Sequence, residues 1–463
     1  MKRIFTILFC LLFLSINIFA QEKKVLPIDD FIAKVKAHHP LARVANIQID
    51  KAAANLLMAK GGFDPALEMN ATNKTFDKKN YYNYNNAELK VPLPIGDLKT
   101  GIENNGGQFL ESEISRGRSS YLGVEVPLAK GLSIDKRRAF LQQAKIAVQQ
   151  NAAQQKVLLN DLLLEAYISY YQWAGATKLY NVFSNYVAIS SNRLRLVKTG
   201  VVNGDRPAMD STEAITQLQN FELLQADAFI KLTSATLDLN NFVWDGNGAA
   251  QNIATDVMPD TTLFSKNNLL QQMGILLQSN SLQNPLLQQY KFKIDGLQIE
   301  KKFKYQNLLP TVNLKANLLN SNYFVAKNLG TSLLENNNRW GINIKIPLRF
   351  REGRGEYKLA KLKIEESTLE LKQKTQEVEN KIKYYTNQFL FLQKQILTAN
   401  DAYKNYNSLL RNETLRFNNG ESSLFLVNSR ENKVFEMEQK LIELQIKLIK
   451  AKYTLDWVNG LIK

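Results

Sequence analysis

The sequence predicts a mainly helical protein, made of two long helical hairpins with short strands ahead of each. Three features support this fold class. Apolar residues recur at helical spacing over long stretches, the same landmarks occur twice in the same order, and short segments between them alternate apolar and polar residues.

The clearer hairpin occupies residues 356–461, with Gly420 at its turn. Apolar side chains on both sides of the turn recur mainly every three or four residues, which keeps one stripe on one face of a long helix. The ascending arm has about 60 residues and a length of roughly 90 Å at 1.5 Å per residue. In the turn, Gly420 can adopt a positive φ angle, and Ser422 and Ser423 can cap the next helix.

The first half of the chain contains the same hairpin. Ala144-Lys145 lies as far before Gly204 as Ala360-Lys361 lies before Gly420. Further paired landmarks are Pro40 with Pro285, Asp50 with Asp295, Pro65 with Pro310, and Leu122, Val124, Val126 and Pro127 with Ile342, Ile344, Ile346 and Pro347. We interpret the chain as a tandem duplication, with a first repeat at 21–245, a linker at 246–262 and a second repeat at 263–463.

Each repeat carries two segments of strict alternation, which predicts strands with one apolar and one polar face. Four short strands beside such long helices cannot bury an apolar face within one chain, and their edges stay unpaired. Lipid covers such a face, and strands from other copies remove the edges. A wet lumen is then lined by the alternate polar residues: Glu68, Asn70, Asn313, Lys315, Asn343 and Lys345.

Residues 1–20 have the pattern of a secretory signal peptide, with Lys2 and Arg3 ahead of an apolar core and a small residue, Ala20, at the cleavage position. A retained membrane anchor is the alternative, but the apolar run is short for a span. The remaining sequence contains no apolar run of the length that a membrane-spanning helix needs.

The residue inventory argues against an enzyme. Cys10, the only cysteine, lies inside the signal segment, and His38 and His39 are the only histidines. Thiol nucleophiles, histidine-based triads and Cys/His metal sites are therefore not expected, and neither is a cofactor, because no phosphate-binding glycine pattern occurs. His38 and His39 are better interpreted as polar residues at a helix boundary than as a metal-ligand pair.

The whole chain after the signal segment resembles the outer membrane efflux proteins, the TolC-like channels of Gram-negative bacteria. The resemblance rests on the duplicated order of the helix starts His39-Pro40 and Asn284-Pro285, the strand starts at Pro65 and Pro310, and the hairpin turns at 204–210 and 417–428. It implies a homotrimer in the outer membrane that forms a β-barrel of four strands per subunit and continues into the periplasm as an α-helical barrel. It also implies export in a tripartite efflux or type I secretion system, with a periplasmic adaptor and an inner-membrane pump as partners.

One feature departs from that pattern. The strand region Pro65–Pro127 of the first repeat is longer than Pro310–Pro347 of the second. The additional residues include 87–94 and 100–108, which alternate weakly. They form either a longer surface loop or an additional hairpin, and we expect the loop, which keeps four strands per subunit.

The hairpin turns carry the candidate functional residues: Gly204, Asp205, Arg206, Asp210, Arg416, Gly420, Glu421, Ser422, Arg430 and Glu431. If copies converge, the charges form rings at the periplasmic mouth, where pairs between subunits hold it shut and an adaptor competes for the same groups. For Asp205 and Glu421 taken singly, compensation of a helix dipole is an equal alternative.

The formal net charge is +16, which on a cytosolic protein indicates nucleic acid. On an exported chain no nucleic-acid partner is expected, and contact with outer-membrane lipid or a solvated helix face accounts for the charge. A periplasmic coiled-coil adaptor or structural protein without a pore is the remaining alternative function, and it does not explain the duplicated strands.

Overall fold

The computed structural model describes residues 24–112, 114–254, 256–264, 284–321 and 336–462. The predicted signal segment at 1–20 and the start of the predicted second repeat lie outside these ranges. None of the helices in the described ranges combines the length and the apolar character that a membrane crossing requires.

Two long hairpins and one sheet account for most of the described residues. The helices are α1 (Ile28–His38), α2 (Pro40–Gly61), α3 (Lys136–Val202), α4 (Ala208–Asn240), α5 (Pro285–Tyr305), α6 (Arg351–Asn418) and α7 (Leu424–Asn459). The strands are β1 (Lys24–Leu26), β2 (Ala66–Phe76), β3 (Lys79–Pro92), β4 (Asp97–Gly106), β5 (Gly117–Pro127), β6 (Val257–Pro259), β7 (Thr311–Asn320) and β8 (Asn338–Lys345).

The described residues divide into two compact units, and each contains parts of both predicted repeats. The first unit comprises Met1–Ala45, Val157–Ser281 and Val378–Lys463 and is mainly helical. The second comprises Asn46–Lys156 and Leu282–Glu377 and contains the sheet. Because the units cut across the sequence duplication, the boundaries of the two repeats stay a prediction.

The helical unit buries the stripes that the sequence predicts. Phe389, Leu392 and Ile396 of α6 and Leu441 and Leu448 of α7 are buried in one core. Aromatic residues of α3 and α1 complete that core, where the Phe31 and Tyr170 rings lie 5.6 Å apart. The apolar residues spaced three and four apart therefore face a buried core. Burial of each such side chain stabilises the unit by about 2 kcal/mol.

The segment between the predicted repeats is anchored to the start of the chain. β6 pairs in parallel with β1. The Tyr170 hydroxyl donates to the Leu26 carbonyl at 2.6 Å and accepts from the Asp260 amide at 3.0 Å. Tyr170 thus joins the two strands, and its burial raises the pKa of its hydroxyl far above the usual range.

The sheet in the second unit is antiparallel throughout, with strand order β2-β3-β4-β5-β7-β8. The pairing sorts the side chains by polarity: Val91, Leu98, Val124, Ala316 and Trp340 form one row across five strands. The neighbouring row on the other face contains Asp97, Glu125 and Lys315. The sheet therefore has one apolar and one charged face, as the alternation predicts.

The sheet corrects the predicted strand count. The first repeat contributes four strands rather than two, because β3 and β4 form an additional hairpin between β2 and β5. The expected surface loop is wrong, and the sheet has six strands instead of four. The alternation of β3 was weak because its outer half has Asn83 and Asn85 on the apolar side and Tyr82 and Tyr84 on the polar side.

A glycine in the additional hairpin makes room for a buried tyrosine on the charged face. The Tyr121 ring lies across Gly101, where a Cβ would fall 2.5 Å from the ring. Its hydroxyl donates to Glu88 on β3 at 2.5 Å. One side chain thereby spans three strands, and it covers the backbone that the glycine leaves open.

Replacing Gly101 with valine is expected to lower the thermal unfolding midpoint of the purified protein, because the new side chain displaces Tyr121 and breaks its bond to Glu88. Overpacking of this kind costs about 1–3 kcal/mol. Gly106→Val is the control on the same strand, since a Cβ there has no neighbour within 4 Å. Circular dichroism in detergent measures both variants, and equal midpoints contradict the packing role of Gly101.

Candidate functional site at the hairpin tips

Both hairpins reverse direction through the same backbone motif. Gly204 and Gly420 have φ angles of +80° and +79°. The amide after each glycine donates to the carbonyl five residues earlier, Asp205 to Gly200 and Glu421 to Arg416, both at 2.9 Å. This is the Schellman ending of a helix, which needs a left-handed residue just past the helix. A Cβ at either glycine would have no neighbouring atom within 4 Å, so a side chain would fit there. Glycine is therefore required by the positive φ angle and not by a lack of space.

The two helices that leave the turns begin differently. Ser423 caps α7, with its hydroxyl accepting from the Leu426 amide at 3.4 Å, in agreement with the predicted serine cap. α4 begins directly after Pro207, which forms no side-chain cap. Asp210 lies in the first turn of α4, where a carboxylate compensates the helix dipole. Asp205 and Glu421 precede the first helical residues, so this alternative role fits Asp210 better than either of them.

A small apolar cluster packs the two tips against each other. Val197, Ala214 and Leu424 are buried together, one from each of α3, α4 and α7. Phe417, at the end of α6, packs against them, and the Arg206 guanidinium lies 4.1 Å from the centroid of its ring. Cation–π contact of this kind holds the first tip to the second.

The predicted charged residues of the second tip gather around a glutamate that the prediction did not include. Glu413 accepts a 2.5 Å hydrogen bond from Ser422 and lies 3.9 Å from both Arg416 and Arg430. Glu413 is almost fully buried, whereas Glu421 is exposed and lies 4.0 Å from Arg416. The Ser422 hydroxyl therefore donates to the Glu413 carboxylate and does not cap a helix.

In the first tip, Arg206 and Asp210 approach to 3.6 Å. Asp205 is exposed, and no ion pair involves it in the part of the chain that the structure describes. These separations are longer than hydrogen bonds, so the attraction between the charges of each pair is weak. The tip charges are consequently held weakly within one copy.

Glu431 corrects the prediction of an exposed charge at the mouth. Its side chain is 3% exposed, and its two oxygens accept from Arg193 at 2.6 and 2.7 Å. Arg193 also donates to Asn428, whose amide donates to Glu213 of α4 at 3.1 Å. The pair therefore ties α3 to α7 inside one copy, and burial keeps Glu431 out of reach of a ring between copies.

A second polar contact extends this connection along the helices. The Gln217 and Asn432 amides bond to each other reciprocally, at 2.7 and 3.4 Å. Sequence reasoning missed Arg193, Gln217 and Asn432 because their partners lie far away along the chain. One signal was present: Glu431 lies at helical spacing between Val427 and Val434, which are buried, so a charge there needs a partner.

An aromatic cluster lies next along the same helices. Phe183, Phe221 and Phe435 surround Tyr186, whose hydroxyl lies 3.4 Å from Glu438. Burial, reinforced by the Glu438 charge, raises the pKa of Tyr186 far above its usual range. Tyr186 consequently stays a neutral donor to Glu438 within an aromatic core.

Comparison with known proteins identifies the relationship. A sequence model of the family described as outer membrane efflux protein matches residues 276–460. The chain resembles the outer membrane efflux proteins. Among curated protein sequences, none matches it significantly.

Solved structures extend the resemblance to these efflux proteins over the whole fold. The outer membrane protein VceC from Vibrio cholerae matches with a TM-score of 0.64 at 15% identity, covering 94% of this chain and 96% of that one. The Campylobacter jejuni CmeC outer membrane channel gives 0.63 at 13%, covering 94% and 85%. The open state of the Neisseria gonorrhoeae MtrE outer membrane channel gives 0.64 at 13%, covering 94% and 88%. The predicted fold class, long helical hairpins with a membrane-type sheet, is confirmed.

Replacing Glu431 with alanine is expected to destabilise the protein by about 3 kcal/mol, because removal of one member of a buried pair leaves Arg193 desolvated and unpaired. The thermal midpoint in detergent measures the effect. Glu436→Ala is the matched control on α7, since Glu436 pairs with Lys433 at 2.8 Å in an exposed position and contributes about 0–1 kcal/mol. An effect of Glu431→Ala no larger than that of the control contradicts the role assigned to the pair.

Proposed function

We propose that the protein is an outer-membrane channel that acts as the passive exit duct of an export system. The carrying observation is the two-faced sheet. Its apolar side exposes large side chains to the surroundings, with Leu67 and Met69 76% exposed and Trp340 70% exposed. A soluble protein buries such a surface, and lipid covers it in a membrane barrel.

The opposite face of the sheet suits a water-filled lumen. Lys99 pairs with Glu125 at 2.8 Å, and Lys90 pairs with Asp97 at 3.0 Å. Lys315 lies 3.8 Å from the other oxygen of Glu125. Charges of both signs thus lie side by side on this face, as expected for a surface that faces water and carries no single strong field.

Three copies form the channel in this proposal, as the resemblance to TolC-like proteins implies. The sheet lies in the outer membrane, in contact with its lipid, and the helical hairpins extend into the periplasm. An inner-membrane pump and a periplasmic adaptor deliver the substrate, in either a tripartite efflux or a type I secretion system. The lumen itself needs no catalytic residue and no cofactor.

The hairpin tips form the gate at the periplasmic end. Asp205, Asp210 and Glu421 are the acidic members, and Arg206, Arg416 and Arg430 are the basic ones. Their pairs within one copy are long, 3.6–4.0 Å, so each group can exchange its partner for one on a neighbouring copy or on an adaptor. Glu431 has no part in this exchange because it is buried and held by two short bonds from Arg193.

The periplasmic adaptor or structural coiled-coil alternative accounts for the hairpins but not for the sheet. Neither an adaptor nor a spacer needs strands whose apolar face stays exposed across a whole six-stranded sheet. The channel is therefore the function that accounts for both parts of the chain.

Single-channel conductance in planar bilayers tests the proposal. The purified wild type is expected to give a small, stable conductance, because the tip charges hold the mouth closed. Asp210→Ala and Glu421→Ala are each expected to raise it, since each removes an acid that pairs across copies. Asp401→Ala, the loss of an exposed acid on α6 away from the turn, is the control and is expected to leave the conductance unchanged.

The outcomes separate the channel from its gate. A conductance that neither tip variant changes retains the channel and discards these gate residues. Folded protein that inserts into no bilayer contradicts the channel itself and favours the adaptor or structural function.

A further inference from the structure

Both edges of the sheet are open. Among the described strands, β2 bonds only to β3, and β8 bonds only to β7. Every residue of β2 and of β8 is exposed, unlike those of the strands between them. Each edge therefore presents a row of unpaired backbone donors and acceptors, which a membrane environment cannot satisfy with water.

The two edges are complementary in direction. Each of the five steps from β2 to β8 is antiparallel. An odd number of reversals leaves β8 antiparallel to β2, so β8 of one copy can pair with β2 of the next in the pattern of the rest of the sheet. The antiparallel hydrogen-bond pattern of the sheet then continues from each copy to the next.

The two edges are also complementary in face. Leu67, Met69 and Ala71 of β2 lie on the apolar side of the sheet, as do Trp340 and Ile342 of β8. Aligning the ends of the strands, with Ala66 opposite Lys345, places Met69 opposite Ile342. That register opposes apolar residues of one side from Trp340 to Ile344, and only the end pair on that side, Asn338 with Asn73, is polar.

We propose that β8 of each copy pairs with β2 of the next in this register, and that three copies close an eighteen-stranded barrel. The inference rests on the proposed function for the number of copies. The additional hairpin of β3 and β4 is the source of the extra strands, since a sheet of four strands would close at twelve.

The larger count widens the lumen. With strands about 4.8 Å apart and tilted by about 40°, eighteen strands form a barrel about 36 Å across between backbone centres, compared with about 24 Å for twelve. Side chains fill a small barrel, whereas barrels of sixteen to eighteen strands leave an aqueous channel. The hairpin thus sets the largest substrate that the outer-membrane part of the duct admits.

Cysteine cross-linking of the full-length protein tests the edge pairing. In a Cys10→Ser background, Ile342→Cys combined with Met69→Cys is expected to form a disulfide between copies, since opposed residues of an antiparallel pair meet the distance that the bond requires. Ile342→Cys combined with Asn70→Cys is the matched control, because Asn70 points to the opposite face. Cross-linking of the control pair, or of neither pair, overturns the proposal.

The number of covalently joined copies and the barrel diameter test the closure. Complete oxidation is expected to give a species of three copies, and electron microscopy is expected to show a threefold barrel of the eighteen-strand diameter. Two copies, or a barrel of the twelve-strand diameter, overturn it. The cross-link does not depend on conductance, so an assembly that forms but does not conduct contradicts the proposed function and retains this inference.

Discussion

The unsatisfied backbone of the sheet edges is the constraint on which the rest of the molecule depends. In water, exposed edges such as β2 and β8 are tolerable, because solvent bonds to their amides and carbonyls. In lipid each unsatisfied group costs several kcal/mol, so a single copy of this sheet cannot be the membrane-embedded form. In the proposed channel, assembly is therefore part of the fold, and the register of the edges is as much a structural feature as the register of β4 against β5.

Apolar residues recur at a different spacing in each of the two units of the chain. The sheet alternates every second residue, because one face is apolar and exposed and the other carries charges such as Lys99 and Glu125. The helices repeat every three or four residues, because one stripe meets a core that contains Phe389 and Leu448. α7 is buried on more than one side, since Asn432 binds Gln217 of α4 while its apolar stripe contributes to the core.

The sequence was sufficient for features encoded locally and insufficient for features that depend on distant partners. Gly204 and Gly420 mark the turns because only their backbone adopts the required angle without strain. A loop was expected in place of the β3–β4 hairpin because Tyr82 and Tyr84 occupy the polar face of β3, where the stacked rings, 4.6 Å apart, replace the expected alternation. Glu431 was misplaced because its partner Arg193 lies on another hairpin, and no spacing along α7 reveals it.

The polar contacts at the tips fall into two strengths, and the difference limits how a gate could move. Arg193 with Glu431, and Asn428 with Glu213, tie the first hairpin to α7 through short and largely buried bonds. Separation of the two hairpins within one copy would break them and expose a desolvated arginine. The ion pairs of Arg206 and Arg416 are longer, and breaking them costs much less than breaking the Arg193–Glu431 pair. In the proposed gate, opening is therefore a displacement of each pair of tips as one body relative to neighbouring copies, and only the weak outer charges change partners.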